Sequence, residues 1–122
     1  YCELGSLDSL HSKYDLTVDE KAFKIATGLF LGLAHLQMNK MIHRDIACRN
    51  LLVTKDWMIK IADFGLAVRA PKDSYQNQPK ELLPWPWMAP ETLRTGQSSF
   101  KSDVWAAGVT LWELLTRGKT PY

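Results

Sequence analysis

The stretch from residue 43 to residue 65 reads HRDIACRNLLVTKDWMIKIADFG and contains two apolar runs between polar ends. The runs, residues 51–54 and 57–61, are rich in residues typical of β-strands, and only Lys55 and Asp56 separate them. This spacing predicts a β-hairpin, although Lys-Asp is a weaker turn pair than Asn-Gly. The hairpin would bring the loop before its first strand close to the loop after its second strand.

The open end of this predicted hairpin carries two carboxylates and an amide. Asp45 and Asn50 lie in the loop before it, and Asp63 follows it directly. One carboxylate could accept a proton, while the other carboxylate and the amide oxygen could hold Mg²⁺, which prefers oxygen ligands. This set suits phosphoryl transfer, in which positioning and charge neutralisation do most of the catalysis.

A long helix is predicted upstream of the hairpin, over about residues 18–39. Thr17 and Glu20 form a Thr-x-x-Glu capping box, which is typical of a helix start. The apolar residues that follow are spaced by 4, 3, 4 and 3 positions and form one helix face: Ala22, Ala26, Leu29, Leu33 and Leu36. Gly28 and Gly32 would weaken this helix in isolation, so we expect it to depend on close packing.

The remaining segments are predicted to be a connector, a long loop and a second helix. Residues 1–10 read as a connector that runs into a short helix, and residues 68–86 read as a long loop with four prolines. The second helix would start near Ser102 and Asp103 and end at Arg117 and Gly118. It is apolar nearly all round, so it should lie at the centre of a domain, and 122 residues are barely enough to surround it.

Composition and charge exclude several classes of protein. The chain has 122 residues, of which 46% are hydrophobic and 23% are charged, as in ordinary globular domains. The net charge of +2, without a basic run, gives no reason to expect a nucleic acid or a charged membrane surface as partner. Cys2 and Cys48 are far apart, which argues against a disulfide framework and favours a reducing compartment. The longest apolar run, residues 28–34, is far shorter than the ~20 residues of a membrane helix.

Three short motifs occur along the chain in a meaningful order. They are His-Arg-Asp-x-x-x-x-Asn at residues 43–50, Asp-Phe-Gly at residues 63–65 and Ala-Pro-Glu at residues 89–91. Together they resemble the signature set of protein kinases, and the resemblance covers the whole chain. It implies an α+β fold, mainly α: a kinase-like C-lobe fragment with a short β-hairpin beside the catalytic loop. Residues 1–122 would run from the hinge through the large central helix, with the N-lobe and the last C-lobe helices absent.

Further residues resemble those of the tyrosine kinases within this family. Ser/Thr kinases typically carry Lys two positions after the catalytic-loop Asp, whereas this chain has Ala47 followed by Arg49. Pro84 and the run Trp-Met-Ala-Pro-Glu at residues 87–91 are also similar to tyrosine kinases. The end of the chain, residues 114–122, looks most like receptor tyrosine kinases and is similar to the hepatocyte growth factor receptor group.

The resemblance implies a catalytic role for residues of the two motif loops. Asp45 would be the base that accepts the proton of the substrate hydroxyl, and Arg49 would lie near the transferred phosphate. Asn50 and Asp63 would bind Mg²⁺. Asp63 would hold ATP through the metal. Leu52 would form the apolar floor under the adenine, and the Cys2 backbone of the hinge would hydrogen-bond the adenine. Ser6 would lie near the ribose.

Regulatory and structural roles follow from the same resemblance. Arg44 would receive a phosphate from the activation segment, residues 63–91, whose one tyrosine is Tyr75. Phe64 would pack so as to set active and inactive states. Three further residues are expected to be structural. His43 would support the loop, Glu91 would form an ion pair, and Asp103 would cap the catalytic-loop backbone.

Three residues depart from the family pattern. Val68 stands where the family usually has Arg, so the phosphate-binding cluster is expected to be weaker or differently arranged. Trp85 and Pro86 stand where an aliphatic and a basic residue are usual, in the segment that docks the residue after the target tyrosine. The Gly-rich loop, strand Lys and helix Glu of the family do not occur in the chain, so the chain alone is expected to be inactive.

The interpretation leaves open which function the parent protein has. A tyrosine kinase would use ATP, Mg²⁺ and protein substrates that contain tyrosine, in signalling from the cytoplasm. The alternatives are a pseudokinase that acts as a binding or allosteric module, and a kinase with Ser/Thr or dual specificity. The resemblance also allows a dimer of kinase domains in the parent protein, and a membrane would be reached only through segments outside this chain.

Overall fold

The computed structural model describes residues 3–10, 13–15, 19–116 and 119, and α-helices dominate it. The helices are α1 (Leu7–Leu10), α2 (Asp19–Met38), α3 (Pro90–Thr95) and α4 (Phe100–Leu115). The strands are β1 (Gly5–Ser6), β2 (Met41–Ile42), β3 (Leu51–Val53), β4 (Ile59–Ile61), β5 (Val68–Arg69), β6 (Ser74–Gln76) and β7 (Gln97–Ser99). Mixed helices and small sheets, mainly α, are what the sequence predicts.

Strands β3 and β4 form the predicted hairpin, with Leu51 opposite Ile61 and Val53 opposite Ile59. The strands are shorter than predicted because the turn begins at Thr54, whose N–H donates to the Met58 carbonyl over 3.0 Å. Trp57 within this turn has a φ of 63°, in the left-handed region. Strand β1 pairs with the other edge of β3, so the predicted connector at residues 1–10 contains a strand as well as the predicted short helix.

Helix α2 packs directly on this hairpin, and its two glycines make the contact possible. A Cβ on Gly28 would lie 2.8 Å from Cβ of Ile59, and one on Gly32 would lie 2.7 Å from Cδ1 of Ile61. Both distances are shorter than real Cβ contacts. At Gly28 the neighbours are the Cβ and the backbone nitrogen of Ile59, which cannot move aside easily, whereas at Gly32 the neighbour is the end of a flexible side chain. The expectation that α2 depends on close packing is confirmed. Thr17 of the predicted capping box lies outside the described residues.

Helix α4 begins earlier than predicted, because Ser99 rather than Ser102 caps it. The Ser102 N–H donates to Oγ of Ser99 over 3.2 Å, and the Ser99 N–H donates to Oγ of Ser102 over 2.9 Å. Asp103 therefore lies inside the first turn and is available for other contacts. The described helix ends at Leu115, and the predicted end at Arg117 and Gly118 lies outside the described residues.

The core lies between α1, α2, α4 and the hairpin. Its fully buried members include Leu7, Leu29, Ile46, Leu51 and Leu114. The outer face of α4 still exposes large apolar side chains, among them Val104, Trp105, Trp112 and Leu115. Within the described part of the chain, no helix is long and apolar enough to cross a membrane.

The predicted long loop at residues 68–86 contains two short strands. Strand β5 pairs with β2, and β6 pairs with β7, so that Tyr75 lies opposite Ser98. The prediction of a plain loop is wrong here, because the backbone groups of these strands find partners far away in the chain. A strand of two or three residues has too little alternation to be recognised from its own sequence.

Candidate active site

His43 joins the loop before the hairpin to the loop after it. Its ring is fully buried, Nε2 donates to the Ala62 carbonyl over 2.9 Å, and Nδ1 accepts from the Asp45 N–H over 3.1 Å. These two hydrogen bonds assign the ring proton to Nε2. The His43 ring thus bridges the backbone of Asp45 and the backbone of Ala62, the residue before Asp63. Each ring nitrogen makes one of the two hydrogen bonds.

Asp103 of α4 holds the same loop from the helix side. Its Oδ2 accepts from the His43 N–H over 2.7 Å, and its Oδ1 accepts from the Arg44 N–H over 3.0 Å. Burial raises the pKa of the Asp103 carboxyl, and the two backbone hydrogen bonds oppose that rise. Arg44 has a φ of 68°, so the carboxylate also stabilises a backbone conformation that an arginine rarely adopts.

Asp45, Arg49 and Asn50 contact one another within the loop. Nη2 of Arg49 lies 2.5 Å from Oδ1 of Asp45, and Nδ2 of Asn50 donates to the Asp45 carbonyl over 2.7 Å. The guanidinium of Arg49 also lies over the ring of Trp87, with Cζ 4.7 Å from the ring centroid. The Asp45 carboxylate and the Arg49 guanidinium therefore lie side by side in the loop before the hairpin.

The hairpin places Asn50 and Asp63 at its open end, as the sequence predicts. The Ala62 N–H donates to the Asn50 carbonyl over 2.8 Å, which joins the two loops directly. Asp63 is exposed, has a φ of 56°, and accepts from the Gly65 N–H over 3.2 Å through Oδ1. Asn50 turns its amide nitrogen to the protein, so its amide oxygen is the atom that remains for a cation.

These two residues fit a hard cation that takes its other ligands from elsewhere. Among the described residues, no three His, Cys, Asp or Glu side chains come together as a ready-made metal site. Mg²⁺ typically takes only one or two protein carboxylates and completes its shell with water and substrate phosphates. The donor set of Asp63 and Asn50 therefore suits Mg²⁺ that arrives with a phosphate-bearing substrate.

Of the residues expected around a nucleotide, the structure describes all but one. Ser6 and Leu52 lie opposite each other across β1 and β3, so the sheet brings them together. Oγ of Ser6 donates to Oδ1 of Asp8 over 2.6 Å. Phe64 is 47% exposed and packs edge-on against the His43 ring, with centroids 5.1 Å apart. Cys2, the predicted hinge residue, lies outside the described residues.

Arg44 turns away from the mouth of the loop and into the segment that follows Gly65. Its Nε donates to the Leu66 carbonyl over 2.7 Å, and Nη1 donates to Oδ1 of Asn77 over 3.0 Å. Nη1 also pairs with Oε2 of Glu81 at 2.5 Å. The Tyr75 ring lies against the guanidinium, with its centroid 4.9 Å from Cζ. Tyr75 is thus a neighbour of Arg44, as the resemblance implies, but Asn77 and Glu81 were not predicted.

Glu113 of α4 is a further residue that the motifs do not indicate. It is buried, and its Oε1 accepts from the Cys48 N–H over 3.2 Å and from Nε1 of Trp87 over 2.6 Å. It therefore links Cys48, in the loop before the hairpin, to the residue on which Arg49 stacks. A glutamate inside an apolar helix is rarely buried without partners, and that signal could have identified it from the sequence.

Two further side chains have little to do with this site. The Cys48 thiol is buried, and burial strongly raises its pKa, so it is no nucleophile at neutral pH. Glu91 is exposed at the start of α3, and its carboxylate makes no ion pair with any residue that the structure describes. The structural ion pair expected of Glu91 stays a prediction.

Comparison with known proteins identifies the family. The sequence model of the family described as protein tyrosine and serine/threonine kinase matches residues 1–122. The chain therefore belongs to this family of protein kinases.

Three individual relatives show how similar the chain is to particular proteins. The chain is 39% identical to tyrosine-protein kinase HTK16 of Hydra vulgaris, over 98% of the chain and 16% of that protein. It is 44% identical to tyrosine-protein kinase Abl of Drosophila melanogaster, over 95% of the chain and 7% of that protein. It is 42% identical to the insulin-like growth factor 1 receptor of Xenopus laevis, over 84% of the chain and 8% of that protein. The chain thus spans only a small part of the length of these relatives.

Proposed function

We propose that the protein containing this chain is a protein tyrosine kinase. Residues 1–122 would form the C-lobe portion of its kinase domain, from the hinge through the central helix α4, with the rest of the domain outside this chain. Membership of the kinase family supports the reaction class, and relatives named as tyrosine kinases support the acceptor. The small share of each relative that the chain covers supports its being part of a longer protein.

The observation that carries this proposal is the convergence of Asp45, Asn50 and Asp63 at the open end of the hairpin. Asp45 is presented there by three contacts, because His43 receives its N–H, Asn50 donates to its carbonyl and Arg49 pairs with its carboxylate. A carboxylate fixed in this way can orient a substrate hydroxyl and accept its proton. Positioning of this kind supplies much of the catalysis in phosphoryl transfer.

In the proposed reaction, a tyrosine oxygen attacks the γ-phosphorus of ATP. The new O–P bond forms as the bond from the γ-phosphorus to the β–γ bridging oxygen breaks, and ADP leaves. The hydroxyl proton passes to the Asp45 carboxylate, while Arg49 beside it offsets negative charge on the transferred group. Asp63 and the Asn50 amide oxygen would hold Mg²⁺, which neutralises charge on the phosphates when bound.

Two observations support tyrosine as the acceptor over serine or threonine. Ala47 is fully buried where a Lys is typical of Ser/Thr kinases, and the relatives HTK16 and Abl are named as tyrosine-protein kinases. The family description nevertheless includes serine/threonine kinases, which favours Ser/Thr or dual specificity as the second candidate. Phosphoamino-acid analysis of the product separates the two. A pseudokinase would instead transfer no phosphate, and a nucleotide titration with and without Mg²⁺ would then show whether it binds ATP.

The experiment that tests the proposal replaces Asp45 in the full-length protein. Asp45→Asn keeps the shape of the side chain but removes the proton acceptor, so kcat for a tyrosine peptide should fall by about 10²–10⁴-fold. Asp56→Asn, in the exposed turn at the far end of the hairpin, is the matched control and should leave kcat unchanged. Equal turnover by the Asp45 variant and the wild type would overturn the assignment of Asp45 as the base.

We also propose the setting in which the protein works. Its partners would be ATP and proteins that contain tyrosine, and its kinase domain would lie in the cytosol, where thiols such as the unpaired Cys48 stay reduced. A dimer of kinase domains, and a membrane attachment through segments outside this chain, belong to the same proposal. Expression of the tagged full-length protein, followed by fractionation, would test the location.

A further inference from the structure

Arg44 has an anionic partner within its own chain. The Arg44 side chain is only 5% exposed, and its guanidinium pairs with the Glu81 carboxylate. A buried guanidinium stays charged, so it needs a hydrogen-bonded anion close by to offset the loss of water. Glu81 supplies that anion, and the other groups that the Arg44 guanidinium contacts are a carbonyl, an amide oxygen and an aromatic ring, all of them neutral. The Asp103 carboxylate also lies close to Arg44, but it accepts from the backbone N–H rather than from the guanidinium.

The Glu81 carboxylate is itself held by both of its oxygens. Oε2 pairs with Arg44, and Oε1 accepts from the Gln78 N–H over 2.9 Å. The Glu81 N–H in turn donates to the Gln78 carbonyl over 3.1 Å, which closes a tight turn around the carboxylate. The Gln78 N–H, and then Arg44, lower the pKa of Glu81, so the side chain is charged at neutral pH.

Through these contacts, one guanidinium joins three parts of residues 66–81, which we call the Arg44-bound segment. Leu66 begins it, Asn77 lies in its middle and Glu81 ends it. Asn77 extends the connection, because its Oδ1 also accepts from Oγ of Ser98 over 2.9 Å and its N–H donates to the Gly96 carbonyl over 2.8 Å. The Arg44 guanidinium therefore holds the segment at three points, and its charge pair with Glu81 holds the end of the segment.

We infer that Glu81 is a positioning residue that supplies the anion for Arg44, so that the Arg44-bound segment is ordered without a phosphate on Tyr75. Arg44 directly precedes Asp45 in the catalytic loop, so the order of the segment bears on the proposed base. This inference rests on the proposed function of Asp45. A phosphate on Tyr75 would have to compete with Glu81 for a guanidinium that is already paired.

Activity of the full-length protein tests the inference with four variants. Glu81→Gln removes the charge but keeps the shape, and it should lower kcat on the order of tenfold while KM for ATP stays within about twofold. Glu81→Asp keeps a carboxylate and should retain more activity than Glu81→Gln, which a purely steric role would not produce. Tyr75→Phe keeps the ring beside Arg44 but cannot be phosphorylated, and it should match the wild type. Glu20→Gln, on the exposed side of α2, is the matched control.

Two results in this assay would overturn the inference. One is full activity of Glu81→Gln. The other is a loss of activity in Tyr75→Phe as large as that in Glu81→Gln, because a phosphate on Tyr75 would then be the anion that Arg44 requires.

Limited trypsin digestion tests the same inference without using activity. Lys72 is an exposed cleavage site within the Arg44-bound segment, and the bond after it is far from position 81 in the sequence, so the Glu81→Gln substitution does not alter the cleaved sequence. Glu81→Gln should be cut there several-fold faster than the wild type and Glu20→Gln, because cleavage follows the population of the open segment. Equal cleavage overturns the inference. If the wild-type protein transfers no phosphate at all, the proposed function fails, and the digestion still decides the role of Glu81.

Discussion

The catalytic loop, residues 43–50, and the Arg44-bound segment, residues 66–81, meet at one arginine but are held by different contacts. The loop is fastened by buried groups on α4, where Asp103 accepts from two of its N–H groups and Glu113 accepts from a third. The segment lies mostly at the surface, in two short strands. Arg44 connects it to the loop through Leu66, Asn77 and the charge pair with Glu81. Buried hydrogen bonds to a packed helix resist opening, whereas a surface segment that is held by two short strands and one arginine opens more easily. We therefore expect the loop to open less readily than the segment.

Of the substitutions that test this difference between the loop and the segment, the one at Asp103 is expected to lower the stability most. Asp103→Ala leaves the N–H groups of His43 and Arg44 buried without an acceptor, so the free energy of unfolding should fall by about 2–5 kcal/mol. Chemical denaturation of the full-length protein, followed by near-UV circular dichroism, measures this change. Asp103→Asn keeps one acceptor oxygen and should lose clearly less. A loss below that of the exposed Asp56→Ala control would show that the loop does not depend on α4.

A smaller effect is expected under the loop, where α2 meets the hairpin. Gly28→Ala places a Cβ 2.8 Å from Cβ of Ile59, so it should destabilise the protein by about 1–3 kcal/mol although alanine favours helices. Gly108→Ala is the matched control, because a Cβ there meets nothing within 4 Å. It should stabilise α4 by about 0.5–1 kcal/mol. Thermal melts of the two variants should therefore move in opposite directions, and a shift of the same sign would contradict the packing argument.

The smallest effect is expected from pH, and it sharpens the contrast between the two regions. The Glu81 pKa lies below its ordinary value of 4.5, so its contribution to stability is present above that pH and is lost as the pH falls through the lowered value. The Asp103 pKa lies above its ordinary value of 3.8, so its contribution has the opposite sign and is lost as the pH rises through the raised value. Acid should therefore open the segment before the loop.

Hydrogen exchange measured by mass spectrometry can follow both regions as the pH is lowered from neutral to well below the ordinary Glu81 pKa of 4.5, so that the scan passes through the lowered value. After correction for the intrinsic pH dependence of exchange, residues 74–81 should lose protection first, and residues 43–50 should keep it. The Glu81→Gln variant should lack the acid-dependent step, since it has no carboxylate to protonate. Simultaneous loss of protection in both regions would contradict the contrast.

Much of the site could be predicted because its residues lie close together along the chain. Asp45, Asn50 and Asp63 flank one hairpin, and a hairpin brings its flanking loops together whatever surrounds it. The pairing of β3 with β4 and the dependence of α2 on close packing were also predicted from local sequence and are confirmed. That the glycines themselves form the contact with the hairpin was not predicted.

The features that the sequence did not reveal all depend on partners far away in the chain. Glu81 reaches Arg44 across 37 positions and Glu113 reaches Cys48 across 65, and neither glutamate belongs to a motif. Strand β6 is three residues long and exists because β7 pairs with it. The start of α4 was placed too late because Ser99 and Ser102 are both good caps, and the reciprocal hydrogen bonds between them select Ser99.

By itself, the sequence determined the class of protein, the hairpin, the long helix α2 and the polar residues at the open end of the hairpin. Short motifs and local periodicity carry that information, because hydrogen bonds between near neighbours depend little on the rest of the chain. Only the tertiary structure decided which carboxylate pairs with Arg44, because Asp73 and Glu81 both lie in the polar stretch after Gly65 and neither belongs to a motif. Burial settled that choice: the guanidinium lost its water, and Glu81 was the carboxylate within hydrogen-bond distance.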